Sequence, residues 1–239
     1  VSVVVGCGGA VGAELTTDER VDGVSFTGST NTGQHIADKV ADRIPVQTEM
    51  GGKNPLVVLP DADLEAAADA AVAGAFGATG QACTATSRLI VHEEIADEVS
   101  EAVVDRAEAL SIGAGMDDPD MGPAVSEGED ESNFHYIDVA KSEGATLLTG
   151  GERPEGLESG YFVEPTIFTD VDSEMRIAQE EVFGPVLAII EVSDFEEAVT
   201  VANDVDFGLS ASIFTSDMAH SRAFTKQVEA GVIKVNGTT

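Results

Sequence analysis

Short apolar runs alternate with stretches of helical spacing along most of this chain. Residues 1–5 form a continuous apolar run that predicts a strand. The glycine cluster Gly6-Cys7-Gly8-Gly9-Ala10-Val11-Gly12 follows, then a helix to about Thr17. Residues 21–26 predict a second strand, with Val24 and Phe26 on one face. It runs into Thr27-Gly28-Ser29-Thr30-Asn31-Thr32-Gly33 and a helix through residues 34–41, for which Ser29 and Thr30 are capping residues. Residues 45–48 predict a strand that leads into Glu49, and residues 55–59 a buried one. Pro60-Asp61-Ala62-Asp63 caps an Ala-rich helix over residues 64–77, where small side chains favour both helix and close packing.

The alternation continues to the last residue. Residues 89–91 predict a buried strand and residues 93–109 an amphipathic helix. Residues 113–123, dense in Asp, Gly and Pro, predict a connector. A polar segment from Ser126 leads to a helix over about residues 133–143, then a strand at 145–148 and an exposed turn or hairpin at 150–160. Residues 162–168 predict an edge or bulged strand because Pro165 interrupts it. Further strands are expected at 186–191, 209–214 and 231–236, with helices at 172–178, 195–203 and 217–228. Strand and helix taking turns after residue 55 implies a mostly parallel α/β sheet, distinct from the first one.

Charge changes the picture more than composition does. The chain has 239 residues, 43% of them hydrophobic, enough for a packed core. Its 44 acidic residues face only 12 basic ones, a net charge of -32. That excess repels nucleic acid and anionic membranes, so neither is an expected partner. With this apolar content it reads as a folded protein with a carboxylate-rich surface, self-repelling in dilute buffer and screened at high salt. The expectation is a salt-rich cytoplasm. Two cysteines, Cys7 and Cys83, form no metal or disulfide pattern, and His35, His92, His135 and His220 have no ligand spacing. No metal site is expected, and Cys7 reads as a small filler in its glycine turn.

The chemistry centres on Gly80-Gln81-Ala82-Cys83-Thr84-Ala85-Thr86-Ser87-Arg88, between the Ala-rich helix and the following strand. A cysteine at such a junction can be fixed on both sides while its sulfur faces a cleft. Earlier lies Glu49-Met50-Gly51-Gly52-Lys53-Asn54-Pro55. A thiolate attacks an electrophilic carbon, and a carboxylate can activate the water that releases the acyl group. The plainer alternative is that Cys83 is a small buried hydrophobe. Ser29 begins a helix whose free amides can hold a phosphate, or it is a simple cap. Arg88 serves either a binding-site wall or a buried structural role.

Taken together, these segments resemble the aldehyde dehydrogenase family. The resemblance rests on Phe26-Thr27-Gly28-Ser29-Thr30 with Gly33, on residues 49–55, on Gly80-Gln81-Ala82-Cys83, on Glu180-Glu181-Val182-Phe183-Gly184-Pro185, on Gly208-Leu209-Ser210-Ala211, and on Val235-Asn236. Residues 76–91 and 160–166 look like the 2,5-dioxopentanoate (α-ketoglutarate semialdehyde) and succinate-semialdehyde branch, and the acidity looks halophilic and archaeal. The resemblance implies an α/β fold, with the later part of a Rossmann-type cofactor domain at residues 1–49 and a mostly parallel catalytic domain at 50–239. It implies NAD or NADP as cofactor, a small aldehyde as substrate, and a homodimer or homotetramer.

The resemblance also implies roles for single residues. Cys83 is the nucleophile and Glu49 the general base. Thr27, Gly28 and Ser29 lie at the cofactor's pyrophosphate, and Gly51 with Gly52 forms the crossing between domains. Glu181 binds the nicotinamide-side ribose, and Phe183 packs near the nicotinamide. Met50 stands where the family usually has Leu, a volume-conserving change. The family's oxyanion Asn, its adenosine-side Lys and its subunit-pairing arm are expected outside residues 1–239. The alternatives are a dehydrogenase for another small aldehyde, or a truncated, non-catalytic structural or binding member.

Overall fold

The computed structural model describes residues 1–157 and 159–239. The chain divides into two compact units, Val1–Gly51 and Gly52–Thr239. In the first, the glycine cluster forms one π-helical turn, Gly8–Gly12, that continues into α1 (Ala13–Thr17). β1 (Val24–Thr27), α2 (Thr30–Val40) and β2 (Val46–Glu49) then make a β-α-β unit. Its two strands are parallel, with Val24 opposite Val46 and Thr27 opposite Glu49.

Two expectations for this unit are corrected. Residues 1–5 form no strand and are exposed, because among the described residues no ladder partner lies beside them and an unpaired strand leaves its amides to water. Cys7 is exposed rather than packed in a turn.

The second unit holds a seven-stranded sheet. Its strands are β3 (Asn54–Val58), β4 (Thr86–His92), β5 (Thr146–Thr149), β6 (Thr166–Thr169), β7 (Val186–Val192), β8 (Ser210–Phe214) and β9 (Val232–Val235). Their order is β5-β6-β7-β4-β3-β8-β9. Every neighbouring pair is parallel except the edge pair β5–β6. The helices are α3 (Leu64–Phe76), α4 (Ala96–Glu108), α5 (Glu127–Glu143), α6 (Arg176–Gln179), α7 (Phe195–Asn203) and α8 (Met218–Gln227).

Central strands β3, β4 and β7 carry continuous apolar stretches, at residues 56–58, 89–91 and 186–190, because both faces are covered there. Leu56, Val58, Leu89, Val91, Leu187 and Ile189 face the cluster under α3 and α4. Val57, Ile90, Ala188 and Ile190 face the cluster under α5, α6, α7 and α8. Burying each such side chain contributes roughly 1.5–3 kcal/mol.

Two elements differ from expectation for local reasons. α5 starts at Glu127, because Ser126 accepts from the Glu129 amide and caps it. β6 begins only at Thr166. Pro165 donates no ladder hydrogen bond, so Phe162 and Val163 are buried as loop side chains instead. The turn expected at 150–160 includes Glu158, which lies outside the described residues. Among the described residues, no helix is long and apolar enough to cross a membrane.

Candidate active site

In the first unit, Thr27, Gly28, Ser29 and Glu49 gather at the carboxyl ends of the two parallel strands, the edge where open α/β sheets take ligands. The Gly28 N–H donates to the Glu49 carbonyl at 3.1 Å and ties the two strand ends together. Ser29 is the N-cap of α2; its Oγ accepts from the Thr32 N–H at 3.4 Å and donates to Thr32 Oγ1 at 3.0 Å. Thr27, Gly28 and Ser29 are exposed. A Cβ at position 28 would lie 2.6 Å from the Phe26 ring, so a side chain there would displace that ring. A Cβ at Gly33 would meet Met50 Sδ at 2.6 Å, so the methionine at 50 fills space that this glycine leaves. The Glu49 carboxylate is exposed and accepts from Gln47 Nε2 at 3.2 Å. Gly51 closes this unit.

In the second unit, Cys83 is exposed and lies in the loop between α3 and β4, which removes the buried-hydrophobe alternative. The approach to it is tightly specified. Ala78, Thr79 and Gly80 all have positive φ, at 51°, 61° and 67°. A Cβ at Gly80 would lie 2.2 Å from the Gly184 carbonyl oxygen. Gln81 ties the loop to the connector: it accepts from the Val125 N–H at 2.7 Å and donates to the Pro123 carbonyl at 3.3 Å.

The chief anchor is Asn54, 2% exposed at the start of β3. Its Nδ2 donates to the carbonyls of Cys83 and Ala85, both at 2.9 Å, and its Oδ1 accepts from the Ser210 N–H at 3.0 Å. The cysteine backbone is thus held on both sides from inside the sheet. Asn54 carries no role in the sequence reading. A polar residue opening an otherwise apolar buried strand is the signal that could have found it.

Glu181 and Phe183 lie on the segment between α6 and β7 and are half-buried. Glu181 accepts from the Gly52 N–H at 3.3 Å. Burial pushes its carboxyl pKa up, against the opposing pull of that N–H and of the Lys53 charge. Phe183 has a φ of 56°, a strained value for a bulky residue, beside the tightly packed Gly184. The neighbouring Glu180 is fixed by Arg176, through Nε at 2.8 Å and Nη2 at 3.0 Å, and by the Tyr136 hydroxyl at 2.8 Å. The Arg176 guanidinium holds its carboxyl below the usual range.

Two buried cations underlie this region. Arg88 is 1% exposed, and its Nε, Nη1 and Nη2 donate to the carbonyls of Lys53, Val201 and Ala202 at 2.9, 2.7 and 2.8 Å. Its work is structural: it ties β3 and β4 to α7. Burial lowers its pKa to about 10. Lys53 is also 1% exposed, and burial lowers its pKa to about 7, with the Arg88 charge adding to the effect. Among the described residues there is no cluster of three or more metal-ligating side chains.

Comparison with known proteins extends over the whole chain. It is 56% identical over 241 residues to the alpha-ketoglutarate semialdehyde dehydrogenase of Haloferax volcanii, covering 100% of this chain and 50% of that one. It is 45% identical to the 2,5-dioxopentanoate dehydrogenase of Saccharolobus solfataricus, covering 100% of this chain and 50% of that one. The fold superposes on betaine aldehyde dehydrogenase of Staphylococcus aureus, solved in complex with NAD+, with a TM-score of 0.96 and 39% identity, over 99% of this chain and 48% of that one. The chain therefore spans about half the length of the relatives it matches. The model of the aldehyde dehydrogenase family matches residues 1–239, and with these identities it establishes that the chain belongs to the aldehyde dehydrogenase family.

Proposed function

We propose that the complete protein carrying this chain oxidises a small aldehyde to its carboxylate, with NAD or NADP as acceptor, through a thioester on Cys83. The observation that carries this reading is an exposed sulfur on a loop whose carbonyls are pinned by the buried Asn54. A nucleophile held in that way loses little orientational freedom before attack.

The Cys83 thiolate adds to the aldehyde carbon, and the resulting oxyanion is met by donors that include the Cys83 amide. A bound dinucleotide would supply the acceptor for the hydride that must leave that carbon for a thioester to form. Glu49 then removes a proton from the water that splits the thioester, which frees the carboxylate product and the thiol.

The residues fit the dinucleotide. The open turn at Gly28 and the capped, exposed start of α2 at Ser29 suit a pyrophosphate, with Thr27 beside them. Glu181 would hold the ribose on the nicotinamide side, and Phe183 would pack near the ring. Residues 1–49 would belong to the cofactor domain and residues 50–239 to the catalytic domain, with Gly51 at the crossing. The working environment would be a salt-rich cytoplasm, and the assembly a homodimer or homotetramer.

The names of the Haloferax and Saccharolobus relatives support 2,5-dioxopentanoate as substrate. A second reading has its own support. At 46% identity the chain also resembles aminoaldehyde dehydrogenase 2 of Pisum sativum, which supports a dehydrogenase for another small aldehyde. If the complete protein lacked the half that these relatives have in addition, a structural or binding role on the same fold would replace catalysis. A panel of semialdehydes and aminoaldehydes with both dinucleotides at molar salt separates these readings. Turnover should favour the dicarbonyl acid and vanish in Cys83→Ala with dinucleotide binding retained. Retained turnover in that variant removes the thioester route, and absence of turnover in the wild type with every aldehyde favours the non-catalytic reading.

A further inference from the structure

The reading above leaves one buried charge unused. The Lys53 Nζ is sealed from solvent and has no hydrogen-bond partner among the described residues. A buried cation without a partner is expensive to keep, so its surroundings must favour it in some other way. The charged groups that act on it are Arg88, which repels it, and Glu181 and Glu180, which attract it. Glu180 is already held by Arg176 and Tyr136. Among the described residues Glu181 has one hydrogen bond, from the Gly52 N–H. The Gly52-Lys53 dipeptide therefore presents Glu181 with both a backbone donor and a cation.

We propose that Lys53 is a positioning residue for Glu181, holding its carboxylate oriented toward the ribose of the bound dinucleotide. This rests on the ribose-binding reading of Glu181. Burial favours the neutral acid at position 181, and the nearby Glu129 charge does so too; the Gly52 N–H and Lys53 oppose them. The carboxylate can accept from two ribose hydroxyls, and a cation beside it favours one orientation over free rotation. Lys53 loses its proton near pH 7, because burial and then Arg88 disfavour the charge. The support it gives Glu181 is therefore full below that pH and fades above it.

The test is the affinity of the complete protein for NAD+ and for NADP+, titrated from about pH 6 to about pH 9. Wild type should weaken about threefold through neutrality. Glu181→Gln should bind more weakly at every pH and show no such step. Lys53→Met should also lose the step, and adding it to Glu181→Gln should weaken binding no further. Normal affinity and an intact step in Lys53→Met, or additive effects in the double variant, overturn the proposal while Glu181 keeps its role. Unchanged affinity in Glu181→Gln overturns the ribose reading and the Lys53 role with it. If Lys53→Met does not fold, wild type against Glu181→Gln decides: a step confined to wild type supports the proposal, and no step, or one that survives in the variant, overturns it.

Discussion

Asn54 shows how much of this site lies in a residue without reactive chemistry. It spends three hydrogen bonds on two loop carbonyls, both part-buried, and on the buried Ser210 amide. Truncation would leave those groups unpaired, at about 1–3 kcal/mol for each one that water cannot reach. Asn54→Ala should lower the thermal midpoint clearly and reduce kcat about tenfold or more, while the KM for dinucleotide changes little. Steady-state kinetics and a melting curve check both. The cysteine and the carboxylates could be proposed from the sequence because their motifs are local and chemically distinctive. Asn54 was not, because its partners lie 29, 31 and 156 residues away and only the folded sheet brings them together. Arg88 could be read two ways until its partners were seen to be three backbone carbonyls.

At the scale of elements, the turn between α3 and β4 fixes where Cys83 stands. Three successive residues with positive φ are held there by packing rather than by preference. Gly80→Ala should be among the more damaging single changes, at roughly 2–4 kcal/mol, because a Cβ there meets the Gly184 carbonyl oxygen in a backbone with no room to shift. Denaturant unfolding at molar salt would register it; a midpoint within error of wild type would show that the turn yields freely. The same scale explains what the apolar pattern could and could not reveal. Strands buried on both faces, such as β3, β4 and β7, announce themselves by short apolar runs at their centres, 56–58, 89–91 and 186–190. The run at residues 1–5, four valines with Ser2, forms no strand, because a strand also needs a neighbour to take its hydrogen bonds. The first turns of α5 have the opposite problem: Glu127, Gly128 and Glu129 show no apolar period, and the helix is declared only by its Ser126 cap.

The whole molecule is dominated by its charge. With 44 acidic residues against 12 basic ones, repulsion among carboxylates opposes the compact state in dilute buffer. Screening shortens from about 10 Å at 0.1 M salt to about 3 Å at 1 M. The melting temperature should therefore rise with potassium chloride, on the order of 10 °C between about 0.1 M and about 2 M. A melting curve indifferent to salt would remove the inference of a salt-rich environment without touching the site. The site itself stands or falls on the sulfur of Cys83. The most direct measurement is peptide mass spectrometry after acid quench of Glu49→Gln turning over an aldehyde with dinucleotide, since slowed hydrolysis lets the thioester accumulate. An acyl mass on the peptide that carries Cys83 is the predicted result. Turnover with that peptide unmodified, or with the acyl group on another residue, would contradict it.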